Sequence, residues 1–251
     1  MPKDYIIEQL KDCFGDRESF NREELYNFYR RVAPKLNEST FRWRIYDLKA
    51  KKIIRAVSKS EFSLSYKPPF RPDIDKKVKD IYMLVEQQYP SLKKAIWSTK
   101  WVMEFMLHLP GRYWTIMEVE KDSVESVFYF LKDNRYRDVF LKPAGKEIDM
   151  YVSESSQAII VSPLVTLSPV QKIKKITIPR LEKLLLDIYA DRELFNVFQG
   201  SELSIIFNNA YNKYQINFSK LMSYAKRRGK EEELMEFISS RTDIPNTLFN
   251  Y

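Results

Sequence analysis

Residues 38–55 read ESTFRWRIYDLKAKKIIR. Phe41, Ile45 and Leu48 recur at i, i+4 and i+7, the spacing of one buried helical stripe. Ser39, a residue type that caps helix starts, marks the expected N-terminus. The opposite face then presents Ser39, Thr40, Arg42, Trp43, Tyr46 and Lys49–Lys51, with Arg44 also in the run. Apolar anchors and exposed cations are thus separated by helical phase. From Arg30 to Lys59 there are ten basic residues against two acids, Glu38 and Asp47, which equals the whole +8 excess of the chain. The other 221 residues are neutral overall. A basic field concentrated on a neutral body points to a polyanionic partner for that segment.

Working outward, Tyr5, Ile6, Gln9, Leu10 and Phe14 fit a helix that ends at Gly15. Asn21 followed by Glu24 has the form of a capping box and opens a second helix that buries Leu25, Phe28 and Tyr29. Ala33–Asn37 turns the chain into the helix of the opening stretch. Two β-like runs follow, Lys52–Val57 and Glu61–Ser65, around Ser58-Lys59-Ser60. This order predicts a winged helix-turn-helix over residues 1–66. Ser39 and Thr40 suit phosphate oxygens at a helix start, and Arg42 can fork onto a guanine edge. Trp43 or Tyr46 meets a thymine methyl or a sugar, and Arg55 and Lys59 reach out from the wing.

Three prolines in Lys67–Asp73 interrupt any helix or central strand and predict a stiff linker. Beyond it, residues 74–251 read as a mixed α/β domain with a small sheet and a helical C-terminal part, so the fold class expected is α+β. Helices are expected at Asp73–Tyr89 and Ile96–Leu109. Strands are expected at Tyr113–Val119, Asp138–Leu141, Ile148–Val152 and Ala158–Val161, with a helix capped by Asp122 and Glu125 after the first. Past Pro169 the chain is expected to be helical, with Pro179 in a first turn. Further helices should cover Ser201–Lys213, Phe218–Arg228 (closed by Gly229) and Lys230–Ser239.

Function classes narrow by exclusion. Five glycines, with neither a GxGxxG nor a GxxxxGK[ST] pattern, leave no nucleotide cradle. One cysteine, Cys13, and one histidine, His108, rule out a disulfide within the chain and zinc clusters. Cys13 is expected in the core and His108 at a helix C-terminus. The start of the chain resembles no signal peptide, and no apolar run reaches the ~18 residues of a membrane span. A cytoplasmic location without membrane contact is expected, and no cofactor or metal. Glu118 and Glu120, with Asp138 or Asp149, form the one candidate metal-dependent nuclease site, against the reading of acids preceding a helix N-terminus. Lys226, Arg227, Arg228 and Lys230 could extend a nucleic-acid surface or simply offset a helix dipole.

Several segments together resemble the AbiEi-type antitoxins of type IV toxin–antitoxin systems. They are the winged-helix order, the middle stretch Tyr113–Glu120, the helix Ile178-Pro179-Arg180-Leu181-Glu182-Lys183-Leu184-Leu185-Leu186-Asp187, and Leu221-Met222-Ser223-Tyr224-Ala225 with the basic run up to Gly229. The resemblance spans most of the chain. It implies a non-enzymatic transcriptional repressor that binds its own promoter as double-stranded DNA through Ser39–Lys49, with added contacts near Lys226–Lys230. It also implies a second domain that neutralises a nucleotidyltransferase-like toxin without a tight complex. The middle region here is longer and more aromatic than in that family. The alternatives that the residues leave open are the nuclease and a protein-interaction scaffold.

Overall fold

The computed structural model describes residues 3–15, 17, 19–51, 53–64 and 67–249. Lys52 and Ser65, assigned to the two β-like runs, lie outside the described residues, as does Tyr66 at the expected domain boundary. The N-terminal unit runs α1 (Lys3–Phe14), β1 (Phe20–Asn21), α2 (Arg22–Val32), α3 (Glu38–Ala50), β2 (Arg55–Ala56) and β3 (Glu61–Ser63). Its three short strands lie in the order β1-β3-β2, all antiparallel, with Phe62 opposite both Phe20 and Ala56.

Leu10, Phe14, Leu25, Phe28, Tyr29, Phe41, Ile45, Leu48 and Phe62 form its core. Gly15 ends α1 by necessity, since a Cβ there would stand 2.4 Å from the Lys11 carbonyl oxygen. Cys13 lies on the exposed side of α1, not in the core. α3 begins one residue before Ser39, because Asn37 is the cap and accepts from the Thr40 amide at 2.8 Å. At α2 the capping box is complete: the Glu24 amide donates to Asn21 Oδ1 and the Asn21 amide to Glu24 Oε2, both at 2.8 Å. Asn21→Ala removes one half of this exchange and is expected to lower stability by about 1 kcal/mol in urea denaturation.

The proline-rich segment is anchored on the second domain through Lys67, Pro68 and Phe70. Phe70 is buried between Phe105 and Tyr214. The Gln215 amide donates to the Pro68 carbonyl at 2.9 Å, and Gln171 Nε2 donates to the Phe70 carbonyl at 3.0 Å. Lys67 Nζ donates to the Tyr211 carbonyl at 2.7 Å. The hairpin joins this contact, for Val57 belongs to the core of the second domain and its carbonyl accepts from the Phe218 amide at 3.1 Å.

The second domain continues with α4 (Lys76–Gln88), β4 (Lys94–Ser98), β5 (Thr115–Val119), α5 (Val124–Asp133), β6 (Val139–Leu141) and β7 (Ile159–Pro163). A hairpin of β8 (Val170–Ile173) and β9 (Ile176–Pro179) leads into α6 (Leu181–Ala190), α7 (Ser201–Lys213), α8 (Phe218–Arg227) and α9 (Glu231–Arg241). The main sheet has the order β4-β5-β7-β6, with β4 antiparallel to β5 and the other three strands mutually parallel. Every residue of β4 and β5 is buried, including the polar Lys94, Ser98, Thr115 and Glu118.

Four expectations fail here. Ile96–Leu109 is no helix: Ile96–Ser98 pair residue by residue with β5, and a 3-10 turn over Thr99–Phe105 follows. Pairing overrides the helical spacing of an apolar run. Ile148–Val152 is a single wide helical turn, not a strand. α5 starts behind a 3-10 turn with no side-chain cap, so Asp122 and Glu125 form no box. The chain after Pro169 makes a β-hairpin, and Pro179 ends β9 without entering α6. His108 consequently terminates no helix; its Nδ1 lies 3.0 Å from Glu202 Oε2. No helix among the described residues is long and apolar enough to cross a membrane.

Candidate nucleic-acid interface and a buried charged cluster

Phe41, Ile45 and Leu48 turn one face of α3 into the core. Helical geometry therefore places Ser39, Arg42, Trp43 and Tyr46 on the other face. Side-chain exposure of Arg42 is 74%, and Trp43 and Tyr46 are 58% and 71% exposed. Trp43 and Tyr46, three residues apart, lie as neighbours on the same exposed helix face. Ser39 and Thr40 are exposed at the first turn, with Ser39 Oγ donating to Asn37 Oδ1 at 3.0 Å. Arg42 makes only a loose 3.6 Å contact with Glu38, which is itself held by Arg22.

Other cations of the opening stretch are less free. The Arg44 guanidinium sits 4.7 Å from the centre of the Tyr29 ring, and its Nη1 is buried. Arg44 also borders a shallow depression at the α2–α3 turn, beside Lys35, Asn37 and Thr40. Lys49 Nζ lies 5.0 Å from the Phe62 ring, where burial pushes its pKa down. Arg55 points back toward Tyr211 of the second domain; burial lowers its pKa, and its buried Nε has no hydrogen-bond partner. Lys59, at the hairpin tip, is exposed. Among the described residues the β2–β3 hairpin thus offers one outward cation, Lys59, because docking on the second domain turns Arg55 inward.

The C-terminal basic run is divided in the same way. Arg228 Nη1 reaches Asp187 Oδ1 at 2.9 Å and Lys230 pairs with Glu233 at 2.8 Å. Arg227 donates to the Leu167 carbonyl at 3.2 Å, which leaves Lys226 exposed. Arg228 is an internal ion-pair partner and not a surface cation.

That pair belongs to a cluster that periodicity did not single out. α6 is buried on all sides, charges included: Glu182, Lys183 and Asp187 all lie in its interior face or flanks. Lys183 Nζ contacts Glu118 Oε1 at 2.6 Å and also Asp187 Oδ2. Tyr224 Oη donates to Asp187 Oδ1 at 2.7 Å, and Trp97 Nε1 donates to Glu118 Oε2 at 3.2 Å. Burial alone would lower the Lys183 pKa, but the Asp187 and Glu118 carboxylates outweigh it and hold the ammonium charged. Burial raises the Glu118 pKa against the pull of Lys183. Burial, with Asp187 alongside, pushes the Tyr224 hydroxyl up. The visible signal was three charged residues inside an otherwise wholly apolar helix.

Glu118 and Glu120 do not converge. Glu118 faces inward on β5, whereas the strand ends at Val119 and Glu120 turns out to lie 3.5 Å from Lys93. Asp138 accepts from Ser155 Oγ at 2.7 Å, and Asp149 is exposed. No group of three His, Cys, Asp or Glu among the described residues could hold a metal ion.

Fold and surface define a mixed α+β protein with an exposed cationic–aromatic helix face on its N-terminal unit and a buried ionic cluster in its second. The chain belongs to a family of unknown function, DUF6577, which matches residues 40–244. That match runs from α3 through the hairpin and the proline segment to just past α9, across the boundary between the two units. No curated protein matches the chain.

Proposed function

We propose that the chain is a sequence-specific DNA-binding regulator whose N-terminal unit acts as a winged helix-turn-helix. The observation that carries this reading is the outward face of α3: Ser39, Arg42, Trp43 and Tyr46 stand opposite the packed stripe, within the segment that holds the entire charge excess. α3 lies in the major groove, Ser39 and Thr40 meet a phosphate, and Lys59 follows the backbone from the hairpin tip. The short antiparallel sheet β1-β3-β2 supports the winged form of the motif.

The test is fluorescence anisotropy with a duplex from the region upstream of the gene. With about five phosphate contacts, affinity is expected to fall roughly 10²–10³-fold between 50 and 200 mM salt, while a scrambled duplex binds more weakly at each salt concentration. Equal affinity for both duplexes overturns sequence-specific reading.

The narrower reading, an autorepressing antitoxin, is supported by the resemblance carried by α6 and α8. Its two most specific segments meet in space through the Asp187–Tyr224 hydrogen bond. Co-expression that relieves growth arrest by a neighbouring nucleotidyltransferase-like gene product tests it. No relief would confine the function to regulation.

A further inference from the structure

A cavity of about 530 Å³ opens at the carboxyl ends of the parallel strands β5, β6 and β7. This is the size of a small-ligand pocket and the position at which open α/β sheets commonly hold ligands. Ile116, Ile160 and Val165 make it largely apolar inside, with Trp97 and Phe195, their ring centres 5.6 Å apart, behind. Glu118 and Asp187 reach the floor, but their charges are matched there by Lys183 and Arg228.

The rim is not matched. It carries Asp191, Glu193 and Lys142, an excess of one negative charge. Asp191 Oδ1 accepts from the Leu194 amide at 3.2 Å, and Glu193 Oε1 from the Gly145 amide at 2.7 Å. Backbone groups therefore hold both carboxylates in place. Both are exposed at the mouth; Arg228 acts on Asp191 only from beyond ion-pair distance, and the second oxygen of each has no hydrogen-bond partner among the described residues. We propose that this cavity binds a small organic cation, a primary amine or guanidinium on an apolar body. The cation meets the rim carboxylates, and the body lies on the Ile116–Ile160–Val165 surface. A free anion would face the unmatched charge instead.

The inference stands apart from DNA reading, and its test contains no DNA. Isothermal titration of the full chain compares tyramine with 4-ethylphenol and 4-hydroxyphenylacetate, which keep the aromatic body but replace the ammonium by nothing or by a carboxylate. Saturable one-to-one binding of tyramine is expected, with the other two at least tenfold weaker. Asp191→Asn preserves the oxygen that accepts from Leu194, so it should keep the melting temperature while weakening tyramine about tenfold. Absence of tyramine binding, equal binding of the carboxylate probe, or an unchanged affinity in Asp191→Asn would each overturn the proposal.

Discussion

Lys183→Met is expected to destabilise the second domain by about 3–5 kcal/mol, a large part of the roughly 5–15 kcal/mol that holds a typical domain folded. The side chain is fully buried and stands between two buried carboxylates, Glu118 and Asp187. Methionine fills much of the same volume, so the loss is one of charge and not of packing. It leaves the buried Glu118 without a counter-ion and Asp187 with Arg228 alone. Urea denaturation followed by far-UV circular dichroism measures the effect. Adding Glu118→Gln and Asp187→Asn to Lys183→Met removes the stranded charges and should recover part of the loss. A Lys183→Met protein as stable as the parent would show that the cluster contributes nothing to the fold.

The same cluster sets a pH dependence with opposite signs at its two ends. Lys183 has a pKa raised above its ordinary 10.5. Its contribution is complete below that value and is lost as pH rises through the folded pKa, so alkaline unfolding should begin above about pH 10.5. Glu118 also has a raised pKa, from 4.5 upward. Its ionisation is harder in the folded state than in the unfolded chain, so it subtracts stability as pH rises from acid toward neutral. Glu118→Gln should therefore be much milder than Lys183→Met near pH 7, within about 1 kcal/mol of the parent.

The triple variant Arg42→Ala, Trp43→Ala and Tyr46→Ala is expected to lose specific DNA affinity by 100-fold or more while melting at the parent temperature. A bidentate arginine–base contact alone discriminates by about 1–3 kcal/mol, and two aromatic contacts are lost with it. All three side chains are exposed and lie opposite the core stripe, so their removal should change stability by no more than about 0.5 kcal/mol. Arg44→Ala is the contrasting case. Its guanidinium stacks on Tyr29, so a stability loss of about 1 kcal/mol should accompany any effect on binding. Unchanged affinity in the triple variant would remove α3 as the reading helix.

The N-terminal unit was largely legible in the sequence because its signals are local. Asn21 and Glu24 sit three residues apart and form their box wherever a helix starts there. Phe41, Ile45 and Leu48 identify the buried stripe by spacing alone, and the exposed positions of α3 follow by subtraction. The same logic failed at Ile96–Leu109 and Pro169–Pro179, where apolar runs fit either helix or strand. At Ile96–Leu109 the outcome depends on pairing with β5, outside a local window. Pro169–Pro179 instead closes as a local hairpin whose turn residues, Lys174 and Lys175, take left-handed backbone without a Gly or Asn to announce it.

Side-chain direction at the unit boundary was likewise invisible. Arg55 and Lys59 are equally basic and four residues apart, yet the hairpin's contact with α8 and the second domain turns Arg55 inward and leaves Lys59 outward. Glu118, Lys183, Asp187, Tyr224 and Arg228 span more than a hundred residues of chain. Spacing could pair Lys183 with Asp187 at i,i+4 in an apolar helix, but it could not supply Glu118, Tyr224 or Arg228. Local periodicity determined where the N-terminal unit is helical and which face of α3 is free, because those depend on contacts three and four residues apart. Tertiary packing decided which further charges join Lys183 and Asp187 in the interior, because Glu118 and Arg228 come from distant segments of the chain.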